Sequence, residues 1–75
     1  MLRKIEPVKL DWAKKLCEYF EVFEDDKKPA YLYLRFFKNN YTKVEVVEII
    51  KIILEGRPDE IDVDNERDML ILWWD

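Results

Sequence analysis

The chain has no histidine, no serine and no glutamine, and only one glycine, one threonine and one cysteine. Each absence removes a chemistry. Without His or Ser there is no Ser-His-Asp triad, and Cys17 has no imidazole to draw its proton. Cys17 also falls on the apolar side of the first helical pattern, which marks it as a core residue. A single glycine, Gly56, excludes both a P-loop and a G-x-G-x-x-G turn. A single cysteine excludes an intramolecular disulfide and a cysteine metal cluster. With no signal-peptide pattern, it points to a reducing intracellular compartment. No apolar run approaches the ~20 residues that span a bilayer. The expected setting is therefore soluble and cytoplasmic, or intracellular in a host cell if the chain is virus-encoded, with no membrane partner.

What is present is a core of modest size and many charges. The 75 residues are 49% hydrophobic and 15% aromatic, enough for one compact domain spanning 1–75 without linker or repeat. Missing Gln with abundant Lys and Glu is the compositional bias of hyperthermophile proteins, so a thermophilic source is expected. Charge is unevenly placed. Residues 1–43 hold ten Lys/Arg against seven Asp/Glu, a net of +3, whereas residues 44–75 hold three against ten, a net of −7. Such asymmetry marks a candidate acidic docking face.

Periodicity predicts an α+β domain of order α-β-α-β-β. Pro7 suits the first turn of a helix, and Val8, Trp12, Leu16, Tyr19, Phe20 and Phe23 follow at helical spacing. The "EDDKKP" stretch with Pro29 reads as a loop, and "AYLYLRFFK" as a strand closed by a turn at Asn39 and Asn40. Residues 42–55 read as a helix, because Thr42 and Glu45 make a capping box and Gly56 with Pro58 makes a stop. Its Glu45, Glu48, Lys51 and Glu55 share one narrow side. The apolar residues Val46, Val47, Ile49, Ile50, Ile53 and Leu54 cover most of the rest, an arc wide enough to need more than one packing surface. The last segment reads as a hairpin: Ile61 and Val63 alternate with acids, a turn lies around Asp64 to Asp68 with Asn65 tolerant of a left-handed conformation, and a terminal strand is apolar on both faces. The expected sheet is three-stranded and mixed, with the terminal strand central, packed against two helices.

Trp73 and Trp74 are neighbours on a strand and must point to opposite faces. If the first helix covers the second sheet face, the molecule is a closed sandwich. If both helices share one side, the tyrosine-bearing face is left open, which also accounts for the wide apolar arc; this is the arrangement expected. The open face would then be an apolar interface of Tyr31, Tyr33, Arg35, Phe37 and a C-terminal tryptophan, Trp73 or Trp74, residue types enriched at interface hot spots. Its expected cover is a second copy of the chain. Asp59, Glu60, Asp62, Asp64, Glu66 and Asp68 form an acidic rim for a basic protein partner.

The functional expectation is a non-catalytic interaction protein of adaptor or inhibitor type, homodimeric and without cofactor. Virus-encoded inhibitors that imitate the charge of nucleic acid belong to this design. A second reading is a single-stranded nucleic-acid binder, with bases stacking on the aromatic face and Lys27, Lys28, Lys38 and Lys43 contacting phosphates. The net charge of −4, the missing glycines of an RNP signature and the acidic strand argue against it. A remote third reading is a divalent-metal hydrolase at Asp62, Asp64 and Glu66. The EF-hand pattern fails there, where Arg67 replaces the required Gly and Trp73 the closing Glu.

Overall fold

The computed structural model describes residues 1–75. Strand β1 (Leu2–Lys4) leads through a bend to helix α1 (Asp11–Lys14), which tightens into a 3-10 helix over Lys15–Glu18. Strands β2 (Phe20–Asp25) and β3 (Lys28–Phe36) form a hairpin. Helix α2 (Lys43–Gly56) then leads to a second hairpin, β4 (Glu60–Asp64) and β5 (Met69–Trp73). All five strands join one sheet in the order β1-β2-β3-β5-β4, every neighbouring pair antiparallel.

The class is α+β, but the sheet has five strands and is antiparallel rather than three-stranded and mixed. The terminal strand does sit between β3 and β4. What changes is the stretch before it. Trp12, Leu16 and Phe20 continue a helical spacing into residues that pair as a strand instead. Phe20 opposes Phe36 and Val22 opposes Leu34, and both Phe20 and Val22 are left only 2% exposed. "FEVFED" is aromatic, β-branched and alternating, so cross-strand packing overrides the helical period. The hairpin turn lies inside "EDDKKP", where the Asp25 carboxylate accepts from the Lys27 backbone N–H at 3.0 Å. At three residues, β1 is too short to show a period; Arg3 and Lys4 give it the charge of a protected edge.

Three smaller expectations change as well. Pro7 lies in the bend before α1 rather than in its first turn. Cys17 is exposed, not core. Where α1 tightens into the 3-10 segment residues three apart come into line, so Leu16 follows Ala13 of α1 on the inner side and Cys17 is carried outward. Partial burial still holds its thiol above the ordinary value, with Lys4 opposing, which keeps it protonated at neutral pH. In the last turn the residue that takes the left-handed conformation is Asp68 (φ 53°), while Asn65, which tolerates it, does not use it.

Helix α2 forms where its local signals place it. The Thr42 hydroxyl accepts from the Glu45 N–H at 3.1 Å, and the Thr42 N–H donates to the Glu45 carboxylate at 3.0 Å. Arg57 closes the helix in the left-handed region (φ 52°), while Gly56 remains its last helical residue. The core is one cluster joining Ala13 and Leu16, the α2 residues Ile49, Ile52 and Ile53, and the strand residues Phe20, Val22, Leu32, Leu34 and Leu72. Every one of these strand residues is on the same face of the sheet, so both helices lie on one side.

Candidate functional site

The strand register defines the other face residue by residue, because directly opposed residues share a side. Phe23 stands beside Tyr33, Tyr33 beside Ile71, Tyr31 beside Trp73, and Glu21 beside Arg35 beside Met69. Across β5 the same face continues with Glu60 beside Trp73, Asp62 beside Ile71 and Asp64 beside Met69. No helix residue belongs to this surface. Tyr31 and Tyr33 are stacked with ring centroids 6.1 Å apart, and Tyr31 meets Trp73 at 6.0 Å. Tyr31, Ile71 and Trp73 are half-buried, whereas Tyr33 is only 4% exposed. Burial raises the Tyr33 phenol above its ordinary pKa.

Cations screen part of the aromatic surface. The Lys28 Nζ lies 5.3 Å from the Tyr31 ring centre and the Arg67 guanidinium 5.9 Å from that of Tyr33. Arg35 sits 5.1 Å over Phe23 while donating to the Glu21 carboxylate through Nε (2.9 Å) and Nη2 (2.6 Å). That hydrogen bond is the main reason Glu21 is held below the usual carboxylate range.

Of the expected interface residues, the structure brings together Tyr31, Tyr33, Arg35 and Trp73. It does not include Phe37 or Trp74. Phe37 has the right parity, but β3 ends at Phe36 and the chain turns away, leaving Phe37 exposed on the rim of a shallow cleft beside Cys17 and Lys4. Trp74 points to the helical side, edge-on to Trp12 at 5.7 Å, with its Nε1 donating to the Gly56 carbonyl at 2.8 Å.

The acidic residues divide into groups with different duties. Glu60 and Asp62 are exposed on β4 beside the aromatic face, and Glu66 and Asp68 are exposed in the turn. Asp59 accepts from the backbone N–H of Asp75. Asp64 holds the turn: its carboxylate accepts from the N–H groups of Glu66 (3.1 Å) and Arg67 (3.2 Å) and from Arg67 Nε (2.6 Å). Arg67 is the main cause of its lowered pKa. A carboxylate with a depressed folded pKa stabilises above its unfolded value and loses that contribution as pH falls through the folded one. Asp64→Asn should therefore melt below the native chain at pH 7. The gap should close as pH drops below the ordinary aspartate range near ~4. Paired thermal melts at pH 7 and in strong acid measure it.

A second apolar surface flanks α2. The buried stripe is Ile49, Ile52 and Ile53, and Glu55 on one side reaches Lys15 at 3.8 Å, so that flank faces the 3-10 segment after α1. The opposite flank carries Val46, Val47, Ile50 and Leu54. With Ile61 and Val63 of β4 these residues are 43–63% exposed. The wide apolar arc was legible in the sequence; that one half of it stays bare is decided by where α2 sits.

No protein-family model matches the chain, and neither curated proteins nor solved structures give a match. No helix is long and apolar enough to cross a membrane.

Proposed function

We propose that this chain is a small non-catalytic interaction module, of adaptor or inhibitor type, that works as a homodimer through the helix-free face of its sheet. The observation that carries the reading is the continuous row of half-buried Phe23, Tyr31, Ile71 and Trp73 around the buried Tyr33, with no helix over it. Contiguous apolar surface rimmed by charge marks a protein contact site. A twofold axis running along β3 between two facing sheets packs these aromatic residues against those of a second copy. Tyr31 would then stand near its own counterpart. The acidic rim at the sheet edge remains available to a basic partner.

The nucleic-acid reading has weaker support. Lys28, Arg35 and Arg67 already occupy ring faces on which bases would stack, and Glu60 and Asp62 share that surface.

Light scattering after size-exclusion chromatography, over a wide dilution series, tests the proposal. The native chain should show the mass of two chains, and Tyr31→Glu should show one with its circular dichroism unchanged. Truncating a hot spot weakens association by about 2 kcal/mol or more, roughly 30-fold. A native chain that is monomeric at every concentration would sink the proposal, as would a Tyr31→Glu variant that stays paired.

A further inference from the structure

We infer that the free edge of β4, together with the uncovered flank of α2, binds an extended peptide in which basic and apolar residues alternate, adding it to the sheet as a sixth strand. The inference rests on the reading of the chain as an interaction module and names the partner of its acidic rim.

Three observations meet at this edge. The first is backbone. β4 is the last strand of the sheet, so its outward N–H and C=O groups have no strand partner, and at five residues it is longer than β1 at the opposite edge. The second is the helix side. Ile61 and Val63 lie on the sheet face that carries both helices and are 48% and 60% exposed, so α2 leaves a strip of apolar strand uncovered there, a trough open to solvent, and Val46, Ile50 and Leu54 of α2 are exposed as well. The third is the opposite side. Glu60, Asp62 and Asp64 are the intervening residues, so every β4 side chain on that face is acidic. A strand laid along β4 must place alternate residues in the trough and among the carboxylates. Residues level with Ile61 and Val63 must be apolar; residues level with Glu60 and Asp62 must be basic, whereas Asp64 is already paired with Arg67.

The same pattern rejects a second copy at this edge. Twofold pairing of β4 with itself about Asp62 sets Asp62 against Asp62 and Glu60 against Asp64. Like charges directly opposite destabilise a strand pair. Slipping the register by two still meets acid with acid, and slipping by one turns the partner's apolar residues out of the trough. The edge therefore repels itself and complements a basic strand.

The test is a titration of the full chain into a fluorescein-labelled heptapeptide alternating Lys and Val, read by anisotropy. Binding is expected, with amide shifts centred on β4. It should weaken about tenfold or more when the peptide backbone is N-methylated on its pairing edge, since added strands bind through main-chain hydrogen bonds. It should vanish when Glu replaces Lys. Ile61→Glu in the trough and Asp62→Lys on the other face should each weaken it by a similar factor. Lys9→Ala, in the exposed bend before α1 at the far side of the sheet, should leave it unchanged. A peptide that does not bind overturns the inference. So does binding that tolerates backbone methylation, or that is equalled by a peptide with the same residues in two blocks, since either means charge attraction alone. If Ile61→Glu, and not Tyr31→Glu, reduces a two-chain mass to one, the trough belongs to a second copy and the inference falls. The interaction-module reading itself stands or falls on the native mass, so the two failures are distinct.

Discussion

Leu34→Ala should lower the unfolding free energy by about 3–5 kcal/mol, the upper part of the range for burying a leucine side chain with little room to collapse. Leu34 is fully buried in the middle of β3, with Val22 beside it on β2 and Leu70 on β5, and it belongs to the cluster that joins both helices to the sheet. No single element can relax into the space it leaves. A domain of this length has a total stability of roughly 4–11 kcal/mol at the usual 0.05–0.15 kcal/mol per residue. The variant should therefore lose at least about a quarter of that stability, and reach its midpoint without denaturant if the native chain lies at the lower end of the range; urea unfolding followed by circular dichroism measures this directly. Val63→Ala is the matched control. Val63 is 60% exposed on β4, so its truncation should change stability by less than about 0.5 kcal/mol. Equal losses at the two positions would mean that the core does not lie between this sheet face and the helices.

Gly56→Ala should destabilise the fold although it improves the local helix. In an open helix the change would stabilise by about 1 kcal/mol. Here a Cβ at position 56 would lie 2.6 Å from two ring carbons of Trp12 and 2.8 Å from a third. The Trp12 ring is itself held edge-on by Trp74, whose indole N–H bonds the carbonyl of Gly56. The ring cannot retreat without disturbing that unit, and overpacking of this kind costs about 1–3 kcal/mol. A net loss is expected, with a changed near-ultraviolet circular dichroism from the two tryptophans. In a Trp12→Leu background the obstruction is gone, and Gly56→Ala should become neutral or stabilising. A stabilising effect in the native background would contradict the packing described here. Gly56 thus stands where a helix stop was expected, but close approach to Trp12 explains it, and Arg57 supplies the left-handed residue.

The parts of the fold legible in the sequence are those whose signals are local. Thr42 and Glu45 fix the start of α2 without help from the rest of the chain, and the alternation of acids with Ile61 and Val63 defines β4. The place of β5 between β3 and β4 follows from its two apolar faces. Strand β2 was hidden because Trp12, Leu16 and Phe20 carry a helical period across a boundary that only pairing with β3 reveals. In the same way, Cys17 lies outside because a 3-10 segment changes which residues align, a difference of turn that composition does not report.

The candidate site was legible to the same extent. Alternation alone puts Tyr31, Tyr33 and Arg35 on one face and separates Trp73 from Trp74. Assigning Trp73 to the helix-free face needs the register, in which Trp73 opposes Tyr31. Phe37 was misplaced because parity carries information only while the strand continues. The bare flank of α2 and the trough beside β4 depend on the seat of one helix over a sheet two strands wider than expected.

The most direct test of where two chains meet is isotope-filtered NMR on a sample mixed from labelled and unlabelled protein. Contacts between chains should connect the ring protons of Tyr31 and Trp73 across the twofold axis, with none from Ile50 or Leu54. Intermolecular contacts confined to Ile50 and Leu54, or none in a sample at millimolar concentration, would contradict a dimer built on the helix-free sheet face.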